Sequence, residues 1–271
     1  MSEAEDAATL RRRLYAGELS RRAATPASRA LAALAMAQVA ELLGADPRRA
    51  HQRGVDVHGA LTELQRRAAR DPEWWGAMAD IVRENGFDPG RQLADAPRLR
   101  ALAPGLAPER APPAAYAVHR DTWYANPACQ VNWWLAIEAV DERESFALYP
   151  GYFSRAVPND SHLLDFARAR SEALAGRRTE RPHAPAALEA LSSEGLRFSL
   201  AAGELLLFSG AHLHAGVPVT SDRVRFSIDF RTADVDDLAE GLGPPLIDTH
   251  CRGAAVEDYI GLGPFAPGST T

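Results

Sequence analysis

Gly203-Glu204-Leu205-Leu206-Leu207-Phe208-Ser209-Gly210-Ala211-His212-Leu213-His214 is the stretch whose reading decides the fold. Its apolar run is short, begins at Gly-Glu and ends at Ser-Gly, so it reads as a buried strand rather than a helix. His214 closes it. After ten intervening residues comes Arg225-Phe226-Ser227, inside residues 223–230, whose aromatic and β-branched content is again that of a strand. Upstream stands His119-Arg120-Asp121, separated from His214 by the ninety or so residues that a closed two-sheet barrel needs. His119, Asp121 and His214 are two histidines and one carboxylate, the ligand set that holds ferrous iron on one face and leaves the opposite positions open. Residues two apart on a strand point to one side, so His119 and Asp121 address one metal while Arg120 faces away. By the same rule Gln130, Asn132 and Trp134 share a face of the next strand.

The rest of the chain divides by pattern. Residues 28–43 place Leu31, Leu34, Ala35, Val39, Leu42 and Leu43 near a 3.6-residue period, with Gly44 as the C-cap and Asp46-Pro47 as the stop. Residues 57–69 and 72–84 read as two further helices, and the first hundred residues read as helical. Residues 102–113 hold four prolines and read as a connector. Strands then dominate residues 116–153 and 196–232, with 197–200, 204–208 and 223–230 the clearest. Between them, residues 154–193 read as an insertion of one helix and a loop. Residues 233–271 are rich in Asp, Gly and Pro and show no definite element. The expected division is a helical region over 1–113, a barrel core over 114–232 carrying the insertion 154–193, and a tail over 233–271.

Composition narrows the chemistry. A net charge of −6 argues against a nucleic-acid partner, which requires a basic face. No apolar run approaches the roughly 20 residues that cross a bilayer. The acidic start Met1-Ser2-Glu3-Ala4-Glu5-Asp6 has the wrong sign for a secretory signal, and Cys129 and Cys251 lack zinc or disulfide spacing. A reducing cytoplasm is the expected compartment. All thirty basic residues are arginine, which excludes Schiff-base chemistry and makes any carboxylate-binding cation an arginine or a protonated histidine.

These motifs, with Ala147-Leu148-Tyr149-Pro150-Gly151 after the first one, resemble the Fe(II)/2-oxoglutarate-dependent dioxygenases, in particular the phytanoyl-CoA dioxygenase-like group. The resemblance covers residues 116–231. It implies a mainly β fold with a helical N-terminal part: a double-stranded β-helix (jelly-roll, cupin-like) of roughly eight strands over residues 116–232, with the helices packed on its outer sheet. It also implies that His119, Asp121 and His214 hold Fe(II), and that 2-oxoglutarate and O2 are cosubstrates converted to succinate and CO2. Arg225 offers a planar fork to the distal carboxylate of the keto acid, and Ser227 adds a hydroxyl from the same strand face. Trp134 is expected to line the cosubstrate pocket and Asn132 to hydrogen-bond near the iron-bound carboxylate. In the related halogenases a small residue replaces the carboxylate ligand, so Asp121 argues against halogenation. Hydroxylation of an unactivated carbon in a small molecule is the expected outcome, with desaturation, cyclisation and epimerisation open.

Other readings stand beside these. A cupin-type isomerase or hydrolase would use the same ligands without a keto acid, and a silent jelly-roll would bind without turnover. His212 shares His214's parity and is the alternative ligand, but ten residues beyond it the Arg-x-Ser is missing, so it reads as supporting the ligands or as structural. Arg223 shares Arg225's face parity and reads as a substrate contact or a surface charge, and Arg231 reads as closing its strand in solvent. Trp133 reads as core, and Trp74-Trp75 as docking the helices. Trp123, Tyr124 and Asn126 sit where substrate contacts or a barrel cap belong. Asn159-Asp160-Ser161-His162 starts either a lid or a helix capped by Asp160 or Ser161.

Overall fold

The computed structural model describes residues 6–105, 116–177 and 182–265. Helices α1 (Ala7–Tyr15), α2 (Pro26–Leu43), α3 (Val57–Ala68) and α4 (Pro72–Glu84) fill most of the first third. Each begins where a side chain satisfies an orphan N–H: Asp6, Thr25, Asp56 and Asp71 respectively. Pro26 and Pro72 occupy the first turn, where no N–H is needed, and Gly44 ends α2 at φ 87°. The helices bury Leu31, Ala35 and Val39 of α2 and Trp74, Met78, Ile81 and Val82 of α4 in one core.

Among the described residues there are nine strands: β1 (Ser20–Arg22), β2 (Gln92–Ala94), β3 (Arg98–Leu102), β4 (Val131–Ala136), β5 (Ala147–Leu148), β6 (Leu205–Ser209), β7 (His214–Ala215), β8 (Arg225–Asp234) and β9 (Ile260–Gly261). The larger sheet has the order β1-β6-β4-β8-β2-β9, with β3 also pairing along β8, and β5 and β7 form the second. All named pairings are antiparallel. Two sheets with helices on the outer face make the double-stranded β-helix expected from the sequence.

Register assigns the two faces. Trp133 lies opposite Leu207 and Phe230, and Leu135 opposite Leu205 and Ile228. These side chains share one apolar core with α2 and α4. The opposite face carries Asn132 beside Phe208 and Arg231, and Trp134 beside Leu206 and Asp229. One sheet therefore separates a hydrophobic layer, where each fully buried large side chain contributes roughly 1.5–3 kcal/mol, from a polar interior.

Several expectations are corrected. The first hundred residues are not helical throughout, because β1, β2 and β3 join the larger sheet. Two of these are only three residues long, too short for a period of two to register. Residues 197–200 form no strand; Leu196 and Leu200 make isolated bridges to Leu148 and Val140. The tail continues β8 to Asp234 and supplies α6 (Val235–Ala239) and β9, which pairs with β2. In the insertion, α5 (Phe166–Leu174) is capped by Asp165, not by Asp160 or Ser161, and buries none of its residues. From residue 106 the proline-rich connector lies outside the described residues, as do 178–181 of the insertion. Among the described residues no helix is long and apolar enough to cross a membrane.

Candidate metal centre

His119 and His214 face each other across an isolated antiparallel bridge, each N–H donating to the other's carbonyl at 2.9 Å. That bridge fixes both backbones and sets the imidazole centroids 4.3 Å apart. His119 Nδ1 lies 2.8 Å from Ala117 O and His214 Nδ1 lies 3.0 Å from His212 O. A carbonyl only accepts, so both Nδ1 atoms carry hydrogen and both Nε2 atoms present a lone pair. Burial, then the neighbouring His214, lowers the His119 pKa to about 3, so the ring is neutral at pH 7.

Asp121 reaches the histidines by a different route from the one its spacing suggests. It does not extend a strand but opens a 3-10 turn, Asp121–Tyr124. Its turn is closed by Ala125 in the left-handed region at φ 62°, and Asn126 Nδ2 donates to Asp121 O at 2.9 Å. One oxygen, Oδ2, accepts from Asn132 Nδ2 at 2.6 Å and Gln130 Nε2 at 3.0 Å. The other, Oδ1, lies 3.9 Å from His119 Nε2 and accepts from Arg231 Nη2 at 3.1 Å. Burial pushes this carboxyl up, but Arg231 and then the two histidines outweigh it and hold it well below the usual carboxylate range. His119, Asp121 and His214 thus offer ligand atoms within 4.8 Å of one another, a grouping suited to a metal ion.

Arg120 does face away from the metal side, and its destination is specific. It is buried, donates from Nε to Asp248 Oδ2 at 3.1 Å, and donates to the carbonyls of Tyr152 and Arg155 at 2.7 and 2.8 Å. Trp123 Nε1 also donates to Asp248, at 2.8 Å.

The face of β8 that looks inward carries Arg225, Ser227, Asp229 and Arg231. Arg225 is 4% exposed, and its Nη1 donates to Ser227 Oγ at 3.2 Å. Its Nε has no hydrogen-bond partner, and no carboxylate pairs with it among the described residues. Burial, then the nearby Arg100, lowers its pKa to about 10. The guanidinium sits 5.6 Å over the Trp134 ring, which packs with Phe146, Phe198 and Phe208 on the side of His214. Arg100 is engaged by Asp229 through Nε at 2.6 Å and Nη2 at 3.2 Å. A planar cation with an orphaned donor, desolvated inside the barrel, fits a carboxylate ligand.

His212 is structural: it is buried, its Nε2 lies 3.1 Å from Gly17 O, and its ring packs on Phe153. Arg231 corrects the sequence reading, because it is mostly buried and bonded to Asp121 rather than closing its strand in solvent. Its parity with Arg225 was the available signal. Asp95, Asp248 and Tyr259 carried none. Tyr124 stands edge-on to His119 at 5.3 Å, and its hydroxyl donates to Pro185 O at 3.0 Å, so the insertion's return packs beside the metal motif.

Among solved structures, EvdO2 from Micromonospora carbonacea var. aurantiaca is similar at 12% identity, covering 86% of this chain and 94% of its own, with a TM-score of 0.49. A second structure of EvdO2 is complexed with 2-oxoglutarate. The α-ketoglutarate-dependent epimerase SnoN from nogalamycin biosynthesis is 16% identical over 94% of this chain and 99% of its own, with a TM-score of 0.42. The carbocyclase SnoK of the same biosynthesis is 14% identical over 86% and 91%, with a TM-score of 0.40. No curated protein matches the chain. The family model for phytanoyl-CoA dioxygenase matches residues 19–227, a span that includes His119, Asp121, His214, Arg225 and Ser227. This chain therefore belongs to the phytanoyl-CoA dioxygenase (PhyH) family, and is an enzyme of the Fe(II)/2-oxoglutarate-dependent oxygenase class with O2 as cosubstrate.

Proposed function

We propose that this oxygenase hydroxylates an unactivated carbon of a small molecule, with His119, Asp121 and His214 as the iron ligands and Arg225 and Ser227 as the anchor of the keto acid. The observation that carries the reading is Arg225, a buried cation with an unbonded Nε, on the same sheet face as the groups that hold Asp121. Without an anionic ligand, only the Ser227 hydroxyl and the Trp134 ring offset the cost of burying this charge.

The roles of the side chains follow from their partners. The Nδ1 bonds of His119 and His214 fix the tautomer that leaves Nε2 free for the metal. Asn132 and Gln130 hold Asp121 Oδ2, so Oδ1 is the oxygen presented on the histidine side. The Trp134 ring lies beneath the Arg225 guanidinium, and the Phe146, Phe198 and Phe208 rings exclude water beside it. Iron held by His119, Asp121 and His214 would supply, with the keto acid and O2, the oxidation that converts 2-oxoglutarate to succinate and CO2 and places one oxygen atom in a substrate C–H bond. Asp121 fills the position that a halogenase leaves open, which favours oxygen transfer over chlorination.

An anaerobic titration with Fe(II) and then 2-oxoglutarate, following the visible metal-to-ligand charge-transfer band, tests the assignment. A band is expected in the wild type, none in His214→Ala, and in Arg225→Ala one that needs about tenfold or more keto acid. Tight binding of another divalent metal with no band in the wild type would overturn the reading. Once a substrate is found, a product heavier by one oxygen identifies hydroxylation, and an unchanged mass excludes it.

A further inference from the structure

The two faces of β3 serve different layers. Leu99 and Ala101 pack into the core shared with the helices. Arg98 and Arg100 therefore face the barrel interior, where the register sets Arg98 opposite Asp229 and Arg100 opposite Ser227.

Arg100 is both held and open. Asp229 accepts from its Nε at 2.6 Å and its Nη2 at 3.2 Å, which fixes the plane of the guanidinium. The side chain is nevertheless 42% exposed, against 15% for Arg231. Asp229 uses two of the five N–H donors of the fork, and among the described residues no hydrogen bond engages Nη1. The edge formed by Nη1 and the second Nη2 hydrogen is shaped for one more carboxylate, held by two parallel bonds.

That edge stands on the metal's side of the interior. Asp229 raises the Arg100 pKa most, and Asp121 adds to the effect. Burial and then Asp121 raise the pKa of the Tyr124 phenol, and Arg100 counteracts them. The exposed cation is within electrostatic reach of a metal ligand and of the ring packed edge-on against His119.

The charges on and beside this sheet face leave a place for one anion. Arg98, Arg100, Arg225 and Arg231 stand against Asp95, Asp121 and Asp229. Fe(II) and 2-oxoglutarate carry equal and opposite charge, so the loaded site keeps one positive charge unbalanced. Glu138 and Glu144 are matched by Arg48 and Arg223. Asp160 of the insertion is engaged by His183 Nε2 at 2.8 Å and the Ala186 N–H at 2.7 Å.

We propose that the substrate is a small molecule carrying a carboxylate, and that the open edge of Arg100 binds that group. The proposal rests on the Fe(II)/2-oxoglutarate reading above and narrows its small molecule to an acid. Asp229 is then a positioning residue, aiming the fork without touching the substrate. A dianionic phosphate would exceed the single charge available.

Matched probes separate charge from shape: butyrate, octanoate, benzoate and N-acetylleucine, each beside its methyl ester. Each is added anaerobically to the preformed Fe(II)–2-oxoglutarate complex while the charge-transfer band is followed. The proteins are wild type, Arg100→Gln and Arg100→Lys, with thermal melts to check each fold. In the wild type at least one acid is expected to shift the band at a concentration where its ester does not. In Arg100→Gln that acid should be needed at about tenfold or higher concentration, with Arg100→Lys between, while Fe(II) and 2-oxoglutarate affinities stay within about threefold. The double variant Arg100→Gln/Asp229→Asn removes both charges, keeps the measurement usable if Arg100→Gln misfolds, and should show the same loss. Esters acting as well as acids, an acid response that survives the loss of Arg100, or no acid shifting the wild-type band overturns the proposal. So does a loss of 2-oxoglutarate affinity as large as that of the acid, which would make Arg100 part of the cosubstrate site. A wild type that forms no band with 2-oxoglutarate sinks the underlying oxygenase assignment instead.

Discussion

Burying a guanidinium without a counter-charge costs folding free energy, and Arg225 is in that state, 4% exposed with Nε unbonded. Its lowered pKa, about 10, has burial as its main cause and has a definite sign. The folded state holds the proton less firmly than the unfolded one, so the penalty is complete at neutral pH and is relieved only as pH rises past about 10. Replacing Arg225 with Met keeps a long apolar stem and removes the charge. Arg225→Met is therefore expected to stabilise the metal-free protein, by on the order of 2 kcal/mol, while weakening 2-oxoglutarate binding. Urea denaturation of the two proteins checks the first half and the charge-transfer titration the second. A variant less stable than wild type would mean that the guanidinium contributes packing that outweighs its desolvation. Arg120 is the contrasting case, an arginine just as buried whose carboxylate partner is internal to the fold.

At the scale of elements, the metal motif is assembled by three segments distant in sequence: residues 119–124, which carry His119 and the 3-10 turn opened by Asp121, the strand end at His214 that bridges to His119, and the C-terminal tail. The tail acts through Asp248, which accepts from Arg120, Trp123 and the Val157 N–H, and through Tyr259, which donates to Asn126 and Gln130. Removing the Asp248 carboxylate strands a buried guanidinium. Asp248→Ala should lower unfolding free energy by about 3–5 kcal/mol, and Asp248→Asn by less, since its amide oxygen still accepts from Trp123. A urea midpoint within error of wild type for Asp248→Ala would refute the tail's part in holding the motif. None of this was legible in the chain. His214 and Arg225-x-Ser227 could be read because their spacing is local to one strand pair, and the Gln130-Asn132-Trp134 face because strand parity is exact. The pairing of His119 with Asp121 was reached by strand parity, whereas the structure brings the two side chains together through a turn that Asp121 opens. Arg231 finds Asp95 and Asp121 across 136 and 110 residues, a distance at which one sequence carries no signal. Strands of two or three residues such as β1 and β9 are equally silent, because a period needs more than one repeat to appear.

Across the whole molecule, one sheet serves two layers, and the neighbouring residues Trp133 and Trp134 belong to opposite ones. Trp133 is fully buried among the helices, stacked on Phe230 at 5.6 Å, edge-on to Phe87 at 5.1 Å, with Nε1 donating to Thr232 Oγ1 at 3.0 Å. Trp134 looks inward, beneath the Arg225 guanidinium and against Phe146 and Phe198. A leucine at either position removes a similar volume, yet the two losses fall on different properties. Trp133→Leu empties part of the layer that binds helices to sheet and leaves Thr232 without its donor, at a cost of about 3 kcal/mol. Its Fe(II) and 2-oxoglutarate affinities should match wild type at temperatures where it is folded, because no inward-facing group moves. Trp134→Leu removes the ring beneath the Arg225 guanidinium, an interaction of roughly 1–2 kcal/mol when desolvated, and should raise the 2-oxoglutarate requirement by about tenfold. Urea melts and charge-transfer titrations on the same two proteins decide the matter. A folded Trp133→Leu with weakened keto-acid binding, or a Trp134→Leu that binds 2-oxoglutarate as wild type does, would show that the sheet transmits packing to the site rather than insulating it.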